Sequence, residues 1–261
     1  MADRLQQAAE RLRAAYSGGA VAPLRDILDP LDADGAYAIQ ALNTRFWESQ
    51  GRRIVGRKIG LTAKAVQQQL GVDRPDFGVL FDDMRVPDGG TLNPGSLLQP
   101  KAEAEIALII GRDLNLAEPS MEDIFDAAES VVAAIEIVDS RIADWKISFA
   151  DTVADNGSSA YFVLGEARRP LAGTDFYSCG MVLEVDGQIA SIGAGAACLG
   201  HPLRAAAWLA GTLAQRGEPL RAGDFVLTGA LGPMVPLSPG QKIRAVVGGI
   251  GEVGFTYGDE E

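Results

Sequence analysis

The sequence predicts an α+β protein in which a smaller N-terminal α/β region precedes a larger β-rich domain. Apolar residues recur at helical spacing mainly in the first 70 residues, whereas the segments after about residue 87 are rich in β-branched residues and predict strands. The 261 residues include 31 glycines and 13 prolines, which predict many tight turns. We expect residues 1–85 to form the N-terminal region and residues 86–261 the β-rich domain, packed as one compact unit.

The elements of the N-terminal region follow from the spacing of apolar side chains and from helix-capping residues. We expect helices at residues 2–17, 35–50 and 63–70, and a strand at residues 53–58. Asp34 and Thr62 are candidate caps for the second and third helices, because short polar side chains satisfy the free N–H groups of a first turn. Gly71 is expected to end the third helix.

The β-rich domain is expected to combine long buried strands with a hairpin and two helices. We expect strands at residues 102–110 and 131–138, a hairpin at 181–192, a helix at 202–216 and final strands within 224–257. Ser120 and Asp123 have the spacing of a capping box, which predicts a helix between the two long strands. Asp186 and Gly187 are typical of a primed hairpin turn.

Composition excludes several classes of function. The formal net charge of −12 lacks the basic footprint of a nucleic-acid-binding protein. His201 is the single histidine, which excludes histidine-rich metal sites and leaves little room for a Ser-His-Asp hydrolase; we expect it to cap a helix. Two cysteines are too few for a disulfide scaffold. The charged N-terminus and the lack of a long apolar run predict a cytoplasmic protein without a membrane partner.

Three glutamates stand in segments that otherwise predict buried strands. Glu103 and Glu105 alternate along one strand and therefore share a face, and Glu136 is flanked by apolar residues. Buried like charges are costly without a cation, and three carboxylates without a histidine suit Mg²⁺ or Mn²⁺. On spacing alone two alternatives stay open: the pair Glu103 and Glu105 on a solvated face near Lys101, and Glu136 paired with an arginine.

Two further residues are candidates for proton transfer. Lys58 stands between glycines at the end of a strand, where its side chain can reach into a cleft and its pKa can respond to neighbouring charge. Asp76 follows Pro75 in a turn, where most aspartates bond only their own backbone. A loop dense in small polar residues, residues 149–160, offers hydroxyl, amide and N–H groups to a carboxylate ligand.

Read in order, these segments resemble the 2-keto-4-pentenoate hydratases of the fumarylacetoacetate hydrolase superfamily. The likeness is carried by GRKIGLT from Gly56, QLGVDRPDFG from Gln69, KAEAEIA from Lys101, EIVDSRI from Glu136, DTVADN from Asp151, GHPL from Gly200 and LTGALGPMV from Leu227. Together these motifs are specific, and they cover nearly the whole chain. The resemblance implies a mixed β-roll with a smaller N-terminal region, and assembly as a homo-oligomer.

The resemblance also implies residue roles. The metal-binding E-x-E of the family falls on Glu103 and Glu105, and its third acidic ligand falls on Glu136. Its lysine falls on Lys58 and its Pro-Asp-Phe acid on Asp76. The substrate-binding positions are expected at Ser158, Asn156 and Leu70.

The reaction implied is metal-dependent hydration of 2-hydroxypenta-2,4-dienoate to 4-hydroxy-2-oxopentanoate in meta-cleavage aromatic catabolism, a small-molecule dienoic acid being the partner. A 4-oxalocrotonate decarboxylase of the same superfamily is the first alternative, because it uses the same chelation and carboxylates. Hydrolysis of an acylpyruvate is a weaker one, because the single histidine is poorly placed to activate water. A non-catalytic subunit that partners a related decarboxylase is the alternative from a different class.

Overall fold

The computed structural model describes residues 2–259, which contain six α-helices and two main sheets. The helices are α1 Ala2–Gly18, α2 Ala33–Ser49, α3 Lys64–Leu70, α4 Met121–Ala127, α5 Phe149–Ala154 and α6 Pro202–Gln215. The strands are β1 Ile54–Gly60, β2 Asp76–Phe81, β3 Arg85–Val86, β4 Thr91–Leu92, β5 Lys101–Ile110, β6 Ala128–Val138, β7 Ser159–Leu164, β8 Gly180–Val185, β9 Gln188–Ala194, β10 Phe225–Leu227, β11 Val235–Pro236, β12 Lys242–Val247 and β13 Gly251–Tyr257.

The larger sheet is mixed and has eight strands among the described residues. Its order is β2-β1-β10-β5-β6-β7-β3, with β11 also paired to β5. The parallel pair β1–β10 joins a strand from the first part of the chain to one near its end. A second sheet of five strands runs β4-β13-β12-β8-β9. The division near residue 85 stays a prediction, and the β1–β10 pairing crosses it.

The two long central strands are buried on both faces. Along β5, Ala104, Ile106 and Leu108 face the main apolar core, whereas Ala107 and Ile109 face a smaller apolar cluster. Glu103 and Glu105 continue the face of Ala107 and Ile109, because strand side chains alternate. The second face of the sheet therefore changes from apolar to acidic within one strand.

The predicted elements are confirmed in type, and two predicted caps are wrong. The cap of α2 is Asp32, whose side chain accepts a hydrogen bond from the N–H of Gly35 at 2.9 Å, while Asp34 lies inside the first turn. The cap position of α3 is Ala63, without a side-chain bond; Thr62 lies one residue too early, where its carbonyl accepts from Leu199.

The other predicted capping and turn signals are confirmed. Ser120 and Asp123 form a reciprocal capping box at the start of α4. Asp186 and Gly187 have φ of 51° and 75°, as a primed turn between β8 and β9 requires. His201 caps α6, its Nδ1 accepting the N–H of Leu203 at 3.2 Å. Among residues 2–259, no helix combines the length and apolar character needed to cross a bilayer.

Candidate active site

Strand register brings the three predicted carboxylates together. Glu103 of β5 stands directly opposite Glu136 of β6, and Glu105 lies two residues further along the same face. One carboxylate oxygen from each lies within 4.8 Å of those of the other two. The N–H of Gly229, just after β10, donates to Oε2 of Glu105 at 2.8 Å. The oxygens are close enough for one small cation to contact all three.

The electrostatics of this cluster favour a cation. The side chains of Glu105 and Glu136 are fully buried. Removal from water and the neighbouring Glu136 carboxylate raise the pKa of Glu103 to about 7, and the same causes raise that of Glu105 well above its usual range. Among the described residues, Glu105 Oε1 and Glu136 Oε2 have no hydrogen-bond partner despite burial. Unpaired carboxylate oxygens in this arrangement fit a hard divalent cation with oxygen ligands.

Lys58 extends from β1 toward the same carboxylates. Its side chain is 3% exposed, and its Nζ lies 3.3 Å from Oε1 of Glu136. Burial alone would lower the pKa of Lys58, but the carboxylates of Glu136 and Asp76 outweigh it and hold that pKa above its ordinary value. Lys58 is therefore an ammonium group, fixed at the edge of the cluster.

Asp76 is brought beside Lys58 by the pairing of β1 with β2. It begins β2 opposite Gly60, two residues beyond Lys58 on the neighbouring strand. Its side chain is buried, and its Oδ1 has no hydrogen-bond partner among the described residues. Burial raises the pKa of Asp76, and the nearby Lys58 opposes that rise only in part. The pair brings together a lysine held as an ammonium group and a carboxyl group whose pKa is raised, so both groups can carry protons.

Two glycines make room for this pair. A Cβ on Gly60 would lie 2.2 Å from Oδ1 of Asp76, and a Cβ on Gly157 would lie 2.6 Å from Cε of Lys58. Real Cβ atoms do not approach other heavy atoms so closely, so any side chain at either position displaces a reactive group. Gly157 also has a φ of 60°, which glycine adopts without strain.

A left-handed turn places Ser158 in the site. Asn156, Gly157 and Ser158 all have positive φ, of 58°, 60° and 55°, which is rare for three consecutive residues. The Oγ of Ser158 lies 3.3 Å from Oγ1 of Thr152. Ser159 begins β7 instead, so the structure separates two serines that the sequence presents side by side.

The substrate-binding candidates differ in where they point. Leu70 and Ser158 line a cleft of about 300 Å³ together with Lys58, Asp76 and Glu103. The side chain of Asn156 is directed at β2: its Oδ1 accepts from the N–H of Val79 at 2.7 Å, and its Nδ2 donates to the carbonyl of Val79 at 2.9 Å. The amide of Asn156 thus holds the turn against the sheet.

The remaining cleft wall is mainly apolar, with one further cation. The apolar side chains are Leu61, Val66, Val138, Trp145, Ile147 and Met234. Lys101 also lines the cleft, and its Nζ lies 4.2 Å from the centroid of the Trp145 ring. Trp145 stands in an irregular segment with no sequence motif, so sequence reasoning missed it; Lys101 had a signal, since it precedes Glu103 by two residues.

Asp139, at the end of β6, anchors the backbone of the segment before β5, a role that the sequence did not reveal. Its carboxylate accepts the N–H groups of Leu98 and Gln99, at 3.0 and 2.7 Å. The neighbouring Arg141 pairs with Asp155 instead, with Nε 2.6 Å from Oδ1 and both side chains buried. Arg141 is therefore paired with Asp155, in the turn after α5, and not with the adjacent carboxylate of Asp139.

Comparison with known proteins gives consistent relatives. The family model for the fumarylacetoacetate (FAA) hydrolase C-terminal domain matches residues 54–256, from β1 into β13. The chain is 53% identical over 253 residues to 2-keto-4-pentenoate hydratase 1 of Dechloromonas aromatica (strain RCB), covering 97% of this chain and 96% of that one. It is 54% identical over 250 residues to the 2-keto-4-pentenoate hydratase of Burkholderia vietnamiensis, covering 95% of each chain.

A solved structure supports the same assignment. The 4-oxalocrotonate decarboxylase of Pseudomonas putida G7, complexed with magnesium and adipate, is 34% identical to this chain. It superposes with a TM-score of 0.93 and covers 98% of both chains. The expected fold class, a mixed β-roll with a smaller N-terminal region, is thereby confirmed. The chain belongs to the fumarylacetoacetate hydrolase family.

Proposed function

We propose that this protein is a hydratase that converts 2-hydroxypenta-2,4-dienoate to 4-hydroxy-2-oxopentanoate with the aid of a divalent cation. The observation that carries the proposal is the three-glutamate cluster with Lys58 and Asp76 on one cleft. The hydratases that share about half of their residues with this chain support the same reaction. The reaction belongs to the breakdown of aromatic compounds by meta cleavage.

The site residues divide the chemistry between holding the substrate and moving protons. A divalent cation held by Glu103, Glu105 and Glu136 would act as a Lewis acid on the C2 oxygen of a 2-oxo acid, and the all-oxygen donor set suits Mg²⁺ or Mn²⁺. Hydration also needs a proton at C5 and an activated water at C4. We assign these two transfers to Lys58 and Asp76, the titratable pair that lines the cleft beside the glutamates.

The rest of the cleft is shaped for a short, largely apolar anion. Leu61, Val66 and Leu70 provide an apolar wall, which suits the hydrocarbon end of a dienoate. Ser158, supported by Thr152, offers a hydroxyl to a substrate oxygen or to the attacking water. Exclusion of bulk water by the apolar wall would strengthen each polar contact inside the cleft.

The composition of the wall also ranks the main alternative. A decarboxylase acting on 4-oxalocrotonate must hold a second carboxylate, which usually requires an additional cation. Among the described residues that line the cleft, the cations are Lys58 and Lys101, and there is no arginine. Lys58 is already engaged by Glu136. Lys101 stands at the Glu103 end of the cleft, and the wall formed by Leu61, Val66 and Leu70 offers no cation to a second carboxylate at the other end. This apolar wall favours the hydratase, while the similarity to the Pseudomonas putida decarboxylase keeps decarboxylation as the reaction to test beside it.

We also propose that the protein is a homo-oligomer. The side chains of Ile189 and Ile192 on β9 are 68% and 66% exposed, and that of Tyr177 is 60% exposed. Large apolar side chains so exposed near one sheet edge support burial against another subunit.

An ultraviolet assay tests the reaction. Loss of the conjugated absorbance of freshly generated 2-hydroxypenta-2,4-dienoate is followed with Mg²⁺, with Mn²⁺ and with EDTA, and the product is identified. We expect cation-dependent formation of 4-hydroxy-2-oxopentanoate that is abolished in Glu105→Ala and retained in Lys64→Met, an exposed lysine used as the control. Release of carbon dioxide from 2-oxohex-3-enedioate without dienoate turnover would establish the decarboxylase instead.

A further inference from the structure

Lys101 is a second ammonium group on the cleft wall that the hydration chemistry leaves unused. Its Nζ lies 4.2 Å from the centroid of the Trp145 ring, within the range of a cation–π contact. Both residues line the same cleft as Lys58, Asp76 and Glu103. Lys101 does not take part in an ion pair within 4 Å in the part of the chain that the structure describes. Its charge is therefore available to a ligand.

Trp145, whose ring contacts the ammonium group of Lys101, has a strained backbone conformation. Asp144 and Trp145 have φ of 57° and 53°, a conformation that is costly for a bulky side chain. The indole Nε1 donates to the carbonyl of Gln99 at 3.0 Å, which fixes the plane of the ring. Strain of this kind persists where the surrounding structure imposes a side-chain position, and such positions cluster at ligand sites.

The place of Lys101 on β5 indicates which end of a substrate it meets. Lys101 precedes Glu103 by two residues, so the two side chains leave the same face of the strand about 7 Å apart. A substrate that chelates a cation at the glutamate cluster has its carboxylate there. The ammonium of Lys101 thus flanks the chelating end, whereas the apolar wall of Val66 and Leu70 belongs to the α3 side of the cleft.

The net charge of the cleft also favours a role for Lys101 in binding an anion. If Asp76 is ionised, the four carboxylates of Glu103, Glu105, Glu136 and Asp76, the ammonium of Lys58 and a bound divalent cation leave the cleft with one net negative charge; if Asp76 keeps its proton, they leave it neutral. Lys101 adds one positive charge in either case. That charge favours binding of an anionic substrate, because charges interact strongly where bulk water is largely excluded.

We propose that Lys101, presented by Trp145, is the residue that recognises the substrate carboxylate, and that it sets the orientation of the substrate in the cleft. The carboxylate then lies toward Lys101 and Trp145, and the reacting C4 and C5 atoms lie toward Lys58 and Asp76. The inference rests on the proposed hydratase function for the identity of the substrate. The charge recognition itself applies to any short 2-oxo acid anion.

The kinetic test compares Lys101→Met with Lys101→Arg. We expect Lys101→Met to raise KM for the dienoate about tenfold or more, with kcat changed by less than about threefold, because a charge-assisted contact made in ground and transition states is lost. Lys101→Arg should restore most of the affinity. The control is Lys146→Met, which removes an exposed lysine next to Trp145 that pairs with Asp144 and is expected to leave both constants unchanged.

The binding test does not require turnover. Calorimetry measures Mg²⁺ binding to the full chain, and then oxalate binding to the Mg²⁺-loaded protein. In Lys101→Met we expect oxalate affinity to fall about tenfold while Mg²⁺ affinity stays equal or rises, because a positive charge near the cation has been removed. General damage to the site would weaken both. Lys146→Met, which removes an exposed lysine outside the cleft wall, should leave both affinities unchanged.

The outcomes separate this inference from the proposed reaction. Failure to hydrate the dienoate, with oxalate binding that still depends on Lys101, would overturn the hydratase function and keep the recognition role. Equal oxalate affinity in the wild type and Lys101→Met, or a wild type that binds Mg²⁺ but not oxalate, would overturn the recognition role. If Lys101→Met fails to fold, the shorter, uncharged and polar Lys101→Gln decides by the same measurements.

Discussion

The Nζ of Lys58 lies 3.3 Å from Oε1 of Glu136, and both side chains are almost completely buried. The lysine comes from β1 and the glutamate from β6, two strands that are not neighbours in the sheet. A buried ion pair of this kind contributes little net stability, because desolvation offsets the attraction. Its value lies in fixing an ammonium group beside a cation site and next to Asp76.

Removal of the Lys58 charge should affect both activity and stability. Lys58→Met is expected to lower kcat at least about 100-fold, the usual contribution of a positioned proton donor. The free energy of unfolding of the metal-free protein should fall by about 3 kcal/mol, because Glu136 is left as an unpaired buried charge. Steady-state kinetics and urea unfolding measure the two effects. Unchanged kcat with normal folding would remove Lys58 from the mechanism, and Lys64→Met is the exposed control.

Neutralising a glutamate should have opposite effects with and without the cation. In metal-free protein, Glu105→Gln is expected to raise the melting temperature, since it removes one of three mutually repelling carboxylates. Saturating Mg²⁺ should stabilise the wild type by about 2.7 kcal/mol at a hundredfold excess over Kd, and should stabilise the variant much less. Melting curves of the wild type and of Glu105→Gln, each recorded with Mg²⁺ and with EDTA, test both expectations. A variant that Mg²⁺ stabilises as strongly as the wild type would exclude Glu105 as a ligand.

Cation affinity should depend on pH in a defined direction. The pKa of Glu103 is about 7 without a cation, so below that pH a bound proton must leave before the carboxylate can act as a ligand. Mg²⁺ affinity is therefore expected to fall as the pH decreases below 7 and to level off above it. Calorimetric titration between pH 5.5 and 8.5, roughly the range over which that proton is lost, checks this. Glu103→Gln should bind Mg²⁺ weakly and show a smaller pH dependence, the remainder coming from Glu105, whose pKa is also raised.

A methyl group at Gly157 should disturb Lys58 specifically. Gly157→Ala places a Cβ 2.6 Å from Cε of Lys58 and also imposes a φ of 60° on an alanine. We expect a loss of stability of about 1–2 kcal/mol from the backbone, together with a fall in kcat of about tenfold or more. Gly173→Ala is the matched control, with a φ of 83° and open space around the added methyl. It should lose similar stability and keep kcat; equal kcat in both variants would contradict the role of Gly157.

Because His201 is the single histidine of the chain, its protonation can be followed without overlap from other imidazole signals. Burial, followed by the charge of Arg204, lowers the pKa of His201, whose neutral Nδ1 accepts the N–H of Leu203. The pKa of His201 is lower in the folded protein than in the unfolded chain, where it is about 6.5. The cap therefore contributes its full stabilisation above about pH 6.5, and this stabilisation is lost as the pH falls through the pKa of the folded state. The imidazole Hε1 signal should titrate below 6.5. His201→Asn keeps an acceptor that does not titrate, so its stability should vary less with pH over this range.

Local sequence signals determined most of the secondary structure. The capping box at Ser120, the turn at Asp186 and Gly187, and the cap at His201 depend on a few adjacent residues, and the structure confirms all three. The two wrong caps, Asp34 and Thr62, differ from the observed positions by one or two residues. Several polar residues near a helix start compete for that role, and the path of the preceding chain decides among them.

The sequence by itself also determined which carboxylates are unusual, because Glu103, Glu105 and Glu136 interrupt apolar strand patterns. It did not determine that Glu103 stands opposite Glu136, that Asp155 takes Arg141, or that Lys101 lies on Trp145. Those relationships join residues from separate strands and turns, and they depend on strand register and on two left-handed segments. The hydrophobic pattern of a sequence shows which charged side chains fall within buried strands. Only the tertiary structure decides which partner compensates each buried charge.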